Sequence, residues 1–171
     1  GPWIYFVQRE SSQRSNIWRI RPSGRDLTQL TQSDGLKFWP AVSPSGARLA
    51  YVDGASSLSV INTTPNRLDP IDLIGGSMQR RLWGPIAWQS EAELLFLDDN
   101  RLMMRAVDRQ PGEVSLFRAA NRMIHTFDID SQRPRFVFDY RANADNGMAI
   151  EDQPLDGQPG TPITFALPRD Q

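Results

Sequence analysis

The stretch Val42-Ser43-Pro44-Ser45-Gly46-Ala47-Arg48-Leu49-Ala50-Tyr51 decides the fold of this chain. Its centre has the chemistry of a tight turn, because proline presets φ at the first corner and glycine accepts a positive φ near the end. The residues on either side are mainly apolar and include β-formers. The stretch therefore predicts a β-hairpin whose second strand ends on an aromatic residue.

The same aromatic-ended strand recurs along the chain at a nearly constant interval. A shift of 45 residues carries Tyr51 forward onto Phe96 and backward onto Phe6. A shift of 42 residues carries Phe96 onto Phe138, which again closes an apolar run. An interval of about 42–45 residues is the length of one four-stranded blade in a β-propeller. The interval therefore predicts a repeat of blade-like units.

Each aromatic-ended strand is followed by a second strand, a turn containing proline with Gly or Asn, and a short closing strand. The units predicted in this way span about residues 1–31, 38–74, 84–118 and 125–168. Residue 1 corresponds to Gly46 under the 45-residue shift, so the first unit lacks its first strand. We therefore expect an all-β propeller of about four four-stranded antiparallel blades, the first short of one strand, in a single domain over residues 1–171.

The strand count leaves the propeller ring incomplete. The chain ends on the outermost strand of the fourth unit and offers no spare strand to the first. The ring is then either open, or completed by strands that lie outside residues 1–171 or on another chain. Unpaired strand edges attract further strands, so self-association through open blade edges is one expected behaviour.

Residues 42–51 resemble the W-S-P-D-G-x-x-I-A-F signature of TolB-like (WD40-like) propeller repeats. Residues 16–20 and 27–31 are similar to the D-I-W-x-M and R-x-L-T strands of the same family. The chain departs from the family pattern at Ser45, where Asp is usual, and its third and fourth units lack the Ser-Pro-Asp-Gly turn. The resemblance implies a propeller that binds proteins in the periplasm or elsewhere outside the cytoplasm.

The resemblance leaves three functions open. The first is a ligand- or protein-binding or sensory domain of a larger bacterial protein, for example the sensor of a ToxR/CadC-like membrane transcriptional regulator. The second is the propeller of a prolyl-oligopeptidase-like peptidase, separated from its catalytic domain. The third is a self-assembling scaffold. In each case contact with a membrane is expected only through segments outside these residues.

The residue inventory argues against catalysis and against a metal site. His125 is the only histidine, Cys is absent, and no Gly-x-Ser-x-Gly nucleophile elbow occurs. One imidazole cannot supply two metal ligands, and residues 143–147 lack the regular oxygen ligands of a calcium loop. Asp98-Asp99-Asn100 is predicted to be a tight hairpin, because Asp and Asn tolerate left-handed backbone angles. We expect no catalytic residues, no metal and no cofactor.

The charge balance argues against direct nucleic-acid binding by this domain. Lys and Arg total 19, Asp and Glu total 20, and the formal net charge is −1. A protein that binds the phosphate backbone usually carries a basic excess. A protein or peptide partner is the expected ligand instead.

One face of the predicted propeller carries both arginine and tryptophan. In a propeller, the loops that enter each blade share a face with the loops that join its second and third strands. Arg and Trp are the residue types most enriched at binding hot spots. We predict that this face binds an acidic peptide or protein through Lys37, Trp39, Arg80, Arg81, Trp83, Arg122 and Arg141. The alternative for the two tryptophans is packing between blades.

Overall fold

A computed structural model of the chain describes residues 2–54, 56–64, 70–75, 81–108, 114–116, 123–130, 133, 135–141, 148–155 and 160–163. Within these ranges the backbone forms fifteen strands and no helix. A helix long and apolar enough to cross a membrane is therefore not found in the described part of the chain.

The fifteen strands form four antiparallel sheets in which chain neighbours are also hydrogen-bonded neighbours. Blade 1 comprises β1 (Ile4–Arg9), β2 (Ser15–Ile20) and β3 (Thr28–Gln29). Blade 2 comprises β4 (Lys37–Val42), β5 (Arg48–Asp53), β6 (Ser57–Asn62) and β7 (Ile71–Ile74). Blade 3 comprises β8 (Leu82–Trp88), β9 (Glu93–Asp98), β10 (Arg101–Ala106) and β11 (Val114–Leu116). Blade 4 comprises β12 (Ile124–Asp130), β13 (Arg135–Arg141), β14 (Met148–Pro154) and β15 (Thr161–Ile163).

The predicted repeat register is confirmed by the strand positions. Tyr51, Phe96 and Phe138 lie on β5, β9 and β13, each the second strand of a four-stranded blade. Phe6 lies on β1, which pairs with β2 and begins the three-stranded sheet. The given residues therefore supply three strands to blade 1, as the 45-residue shift predicts. The inner strands β4, β8 and β12 contact one another in that order, and β1 contacts β4.

The core is built as layers between adjacent blades. Leu49, Tyr51 and Ile61 of blade 2 pack on Ile17 and Leu30 of blade 1. The opposite face of blade 2 meets blade 3 in a second cluster, and the opposite face of blade 3 meets blade 4 in a third. Because strand side chains alternate between faces, a blade with cores on both sides needs apolar residues at consecutive positions. This requirement explains the unbroken apolar runs on β5 and β9.

The turns have the geometry that their residue types predict. Gly46 has φ 77° and its N–H donates to the Ser43 carbonyl at 2.8 Å, which closes the Ser-Pro-Ser-Gly turn. Asp99 and Asn100 have φ 49° and 63°, so the predicted tight hairpin between β9 and β10 is confirmed. The stretch 143–147 lies outside the described residues.

Polar contacts reinforce the apolar layers at their margins. Arg19 of blade 1 donates to the Thr63 carbonyl beyond β6 at 2.6 Å. The Ser45 N–H in blade 2 donates to the Glu91 carboxylate of blade 3. This main-chain hydrogen bond is the largest cause that lowers the pKa of Glu91 from its ordinary value. The blades are thus joined by directed hydrogen bonds as well as by buried area.

Candidate functional site

The loops that enter the blades lie at the same end of the sheets as the hairpins between second and third strands. The Gly54 N–H donates to the Leu36 carbonyl at 2.8 Å, which joins the β5–β6 hairpin to the start of β4. The Asp99 N–H donates to the Arg81 carbonyl at 3.0 Å and makes the same connection at β8. We call this end the upper face, formed by the starts of β4, β8 and β12 and the β1–β2, β5–β6 and β9–β10 hairpins.

Each complete blade has a β-bulge at the start of its inner strand. The pairing shifts register between Phe38 and Ala41 on β4 and between Leu82 and Ile86 on β8. On β12 the pairing shifts register between Ile124 and Thr126, on either side of His125. A bulge leaves the extra residues unpaired and turns their side chains out of the regular alternation. Three neighbouring inner strands therefore present irregular backbone at the upper face.

Backbone chemistry fixes two of these bulges. Pro40 and Pro85 carry no N–H, so neither can continue the ladder of hydrogen bonds. Trp39 has φ 53° and Gly84 has φ 128°. A Cβ atom on Gly84 would lie 2.8 Å from Cδ1 of Leu97, so this position needs glycine both for its backbone angle and for space.

The bulges leave two tryptophans in solvent. Trp39 is 43% exposed and Trp83 is 62% exposed, although both stand on inner strands. The Trp83 ring lies 6.5 Å from the Phe38 ring at a tilted angle of 43°, which places one side of it against the preceding blade. Trp88, at the end of the same strand, is only 6% exposed and is the tryptophan buried between the blades. His125, on the third bulge, is exposed as well.

Lys37 differs from its prediction as a contact residue. Its side chain is fully buried, and Nζ lies 2.8 Å from Asp53 Oδ1 and 2.7 Å from the Asp34 carbonyl oxygen. A buried ammonium must be paired and hydrogen-bonded to offset its lost hydration. Lys37 therefore holds the β3–β4 loop and the β5–β6 hairpin together and does not offer its charge to a partner.

The structure describes two of the four arginines that were predicted as site residues. Arg81 is exposed at the upper face, directly before β8. Arg141 is the last residue of β13, whose preceding residue pairs with Ile124 at the start of β12. The backbone of Arg141 therefore ends at the upper face, while its side chain lies outside the description. Arg80 and Arg122 lie outside the described residues.

The described charges of the upper face are mixed in sign. Arg14 pairs with Glu10 at 3.0 Å and with Asp34 at 3.5 Å, and the exposed Asp99 lies beside Arg81. The sequence pattern points to the arginines of the entering loops, but the hairpins bring carboxylates to the same face. That mixture follows from strand register, which places Asp53 and Asp98 at the ends of equivalent strands.

A cavity of about 330 Å³ opens between blade 1 and blade 2. Its walls are Val7 and Arg9 of β1, Ser15 of β2, and residues 36–39 at the start of β4. No residue pattern in the sequence marks this cavity.

Among the described residues, no group of three or more His, Cys, Asp or Glu side chains could hold a metal ion. The chemistry of the upper face is thus that of exposed rings, guanidinium and carboxylate groups on rigid strands. Such an arrangement can bury apolar surface and make directed hydrogen bonds to another chain.

Comparison with known proteins finds a sequence relative that matches part of the chain. No family model matches the chain. A protein named TolB homolog from Chlorobium luteolum is 31% identical over 97 residues, which cover 55% of this chain and 21% of that protein. The chain thus aligns with about a fifth of the length of this curated relative.

Solved structures share the fold. The structure of a putative TolB from Agrobacterium tumefaciens superposes with a TM-score of 0.73 at 12% identity, over 94% of this chain and 60% of that one. A puromycin-hydrolysing peptidase from Mycobacterium tuberculosis superposes with a TM-score of 0.71 at 12% identity, over 94% of this chain and 29% of that one. The chain is thus similar in sequence to a TolB homolog over about half of its own length, and it shares the fold of these solved structures.

Proposed function

We propose that this chain is a non-catalytic propeller unit that binds a protein or peptide partner at its upper face. The observation that carries the proposal is the exposure of Trp39 and Trp83 on the bulges of two neighbouring inner strands. A large ring on a rigid strand supplies contact area with little loss of conformational freedom on binding. Exposure of two such rings is otherwise costly, because each leaves apolar surface in water.

The charged residues complete this proposed surface. Arg81 lies two residues before Trp83, and the proposal also includes Arg80, Arg122 and Arg141, which the sequence predicts as contact residues. Guanidinium groups bind carboxylates in a planar, two-pronged geometry, so an acidic residue of the partner would find directed contacts here. Lys37 is left out because its ammonium is buried in an internal ion pair.

The proposed setting is a periplasmic or otherwise extracytoplasmic bacterial protein, with a sensor domain of a ToxR/CadC-like membrane regulator as the leading example. The TolB-like relationship supports a location outside the cytoplasm. A winged-helix domain and a membrane helix in the same polypeptide would identify the sensor. If the complete coding sequence contained neither the winged-helix domain nor the membrane helix, the sensor role would be wrong. The proposed binding surface could still be tested separately.

A second candidate is the propeller of a peptidase. It is favoured by the superposition on the puromycin-hydrolysing peptidase, of which this chain covers 29%. A Gly-x-Ser-x-Gly elbow elsewhere in the same polypeptide would support it. A self-assembling scaffold is the third, and its mark would be a concentration-dependent mass in sedimentation analysis.

The binding surface can be tested with a random heptapeptide display library. Peptides enriched on the wild-type chain are synthesised, and their affinities are measured for Trp39→Ala, Trp83→Ala and Arg81→Ala. Loss of a hot-spot ring is expected to weaken binding about 30-fold or more, since such truncations cost about 2 kcal/mol.

The matched control is Ile71→Ala, a residue 56% exposed on the outermost strand β7. It is expected to bind every selected peptide with wild-type affinity. If the three upper-face variants also bind with wild-type affinity, or if no peptide is enriched at all, the upper face is not the binding surface.

A further inference from the structure

Three ring-bearing residues stand at equivalent positions on the inner strands of blades 2, 3 and 4. The first ladder pairs of β4, β8 and β12 are related by the repeat intervals of 45 and 42 residues. The residue that directly follows the first pair on each of these strands carries a ring, and the three are Phe38, Trp83 and His125. We call them the ring row. Trp39 stands at the position equivalent to Gly84 and lies beside this row.

The members of the ring row are accessible and close to one another. Trp83 is 62% exposed, Phe38 is half-buried and His125 is exposed. The Phe38 and Trp83 ring centroids are 6.5 Å apart, and the tilt of 43° between the rings leaves them unstacked. A Cβ atom on Gly84 would lie 3.7 Å from the His125 carbonyl oxygen, so the bulges of β8 and β12 are neighbours as well. The row therefore crosses three adjacent blades at the upper face.

We propose that the ring row binds an extended segment of a partner protein that crosses the three inner strands. The segment has apolar side chains at two alternate positions, over Phe38 and Trp83, and a carboxylate at the next alternate position, over His125. This inference rests on the proposed function and deepens it, because it names the kind of segment that the upper face recognises.

The distance between the rings sets the spacing of the side chains that can bind them. In an extended chain every second side chain points to the same side, at intervals of roughly 6.6 Å. The 6.5 Å between the Phe38 and Trp83 centroids matches this interval. A polyproline II segment repeats its face every third residue, at roughly 9 Å, and would overshoot the second ring.

The backbone of the bulges favours an extended segment over a helix. A helix also places side chains about 6 Å apart, at positions i and i+4. Its N–H and C=O groups are used within the helix, however, except at the ends. Within the described strands, Trp39 and Gly84 have no cross-strand partner, so the bulges leave backbone groups outside the ladder. An extended segment carries free backbone groups that can pair with them.

The third position of the row and its surroundings favour a carboxylate. His125 is exposed, and an imidazole ring always has an N–H that can donate to a carboxylate oxygen. Arg81 and Trp83 are exposed on either side of the buried Leu82, so their side chains point to the same side of the strand. Arg81 makes no ion pair with another residue in the part of the chain that the structure describes. Its charge therefore adds attraction for an acidic segment.

The spacing is tested with three synthetic peptides of identical composition, each with two leucines and one aspartate in a background of serine and threonine. The leucines are two, three or four residues apart, and the aspartate follows the second leucine at the same interval. Each peptide is also made in the reversed order, because the row does not fix the direction of the segment. Calorimetry is expected to favour the two-residue spacing, in one of its orders, by about tenfold, since a misplaced leucine loses its contact with one ring.

Two variants of the protein place the peptide on the ring row. Trp83→Ala is expected to weaken binding of the two-residue peptide about tenfold or more. On the wild-type chain, aspartate at the third position is expected to bind about threefold more tightly than serine, and His125→Ala is expected to remove this advantage. Ile71→Ala, at a residue 56% exposed on β7, is the matched control and is expected to leave every affinity unchanged.

The remaining outcomes overturn the inference. Equal affinity for the three spacings, or tighter binding of the three-residue or four-residue peptide, would exclude the extended segment. If Trp83→Ala still weakened those peptides, the proposed function would stand while this inference failed. An advantage of aspartate that persists in His125→Ala would contradict the placement of the carboxylate over His125. If none of the peptides bound, the extended segment would be wrong, and the display library would decide separately whether the upper face binds any peptide.

Discussion

The Nε1 of Trp88 donates a hydrogen bond to the carbonyl oxygen of Ala41 at 2.9 Å. The contact joins the end of β8 to the end of β4, the inner strand of the preceding blade. It also satisfies the single hydrogen-bond donor of the Trp88 ring, which is 6% exposed. Five residues earlier, Trp83 is 62% exposed on the same strand. The bulge between them separates a tryptophan that holds the blades together from one that is available for contact with another chain.

Trp88→Phe is expected to lower the free energy of unfolding by about 1–3 kcal/mol, through the lost hydrogen bond and the smaller ring. Trp83→Phe is expected to change it by no more than about 0.5 kcal/mol, as exposed substitutions usually do. Urea denaturation of both variants checks the pair. Equal effects at the two positions would contradict the division of roles.

Gly84→Ala is expected to destabilise the chain by about 1–3 kcal/mol, because the new Cβ meets Leu97 in a packed core and the backbone stands at positive φ. Gly46→Ala is the control, since Gly46 also has a positive φ of 77° but nothing within 4 Å of an added Cβ. Because the Gly46 variant has the unfavourable φ without the close contact, its loss of stability measures the backbone contribution alone. Thermal unfolding should therefore show a larger drop for Gly84→Ala than for Gly46→Ala.

The buried Lys37–Asp53 pair predicts an asymmetry between two single substitutions. Asp53→Asn leaves a fully buried ammonium without its countercharge and is expected to cost about 2–4 kcal/mol. Lys37→Met keeps the apolar stem and leaves a carboxylate that is 28% exposed and can be hydrated, so it is expected to cost about 1 kcal/mol. Chemical denaturation of the two variants shows which substitution lowers the free energy of unfolding more. A larger cost for Lys37→Met would show that the lysine contributes mainly through its hydrogen bond to Asp34.

Tyr51 predicts a loss of stability in alkali. Burial, with a smaller contribution from the charge of Asp53, raises the pKa of Tyr51 to about 12 from 10.0. In the folded chain the phenol keeps its proton above pH 10, whereas in the unfolded chain it ionises there. Its contribution is complete below pH 10 and falls as the pH rises towards 12, by about 2–3 kcal/mol in all.

Tyr51→Phe removes this ionisation and should flatten the stability profile between pH 10 and 12. Urea midpoints at pH 8 and pH 11.5 give the comparison with the wild-type chain. The same alkaline loss in both proteins would assign the effect to other groups.

The repeat and its turns could be predicted because both depend on local chemistry. The Ser43–Gly46 turn, the Asp99-Asn100 hairpin and the aromatic at the same place in each unit are visible without knowledge of distant contacts.

The site was less predictable because it depends on what the fold brings together. Lys37 looks like a solvated loop cation until register places Asp53 opposite it. Pro40 and Gly84-Pro85 were the available signals for the bulges, since proline breaks a ladder, but the outward direction of Trp39 and Trp83 follows only from the three-dimensional register. The mixture of charges at the upper face has the same origin.

Each apolar cluster among the described residues is shared by two consecutive blades, and none of these clusters spans three. Stability is therefore transmitted along the chain from neighbour to neighbour, as in a row of coupled units. Blades 2 and 3 have a cluster on each face, whereas the described cores of blades 1 and 4 lie on one face each. Amides of β5 and β9, which lie between two apolar clusters each, should accordingly exchange more slowly than those of the edge strand β7.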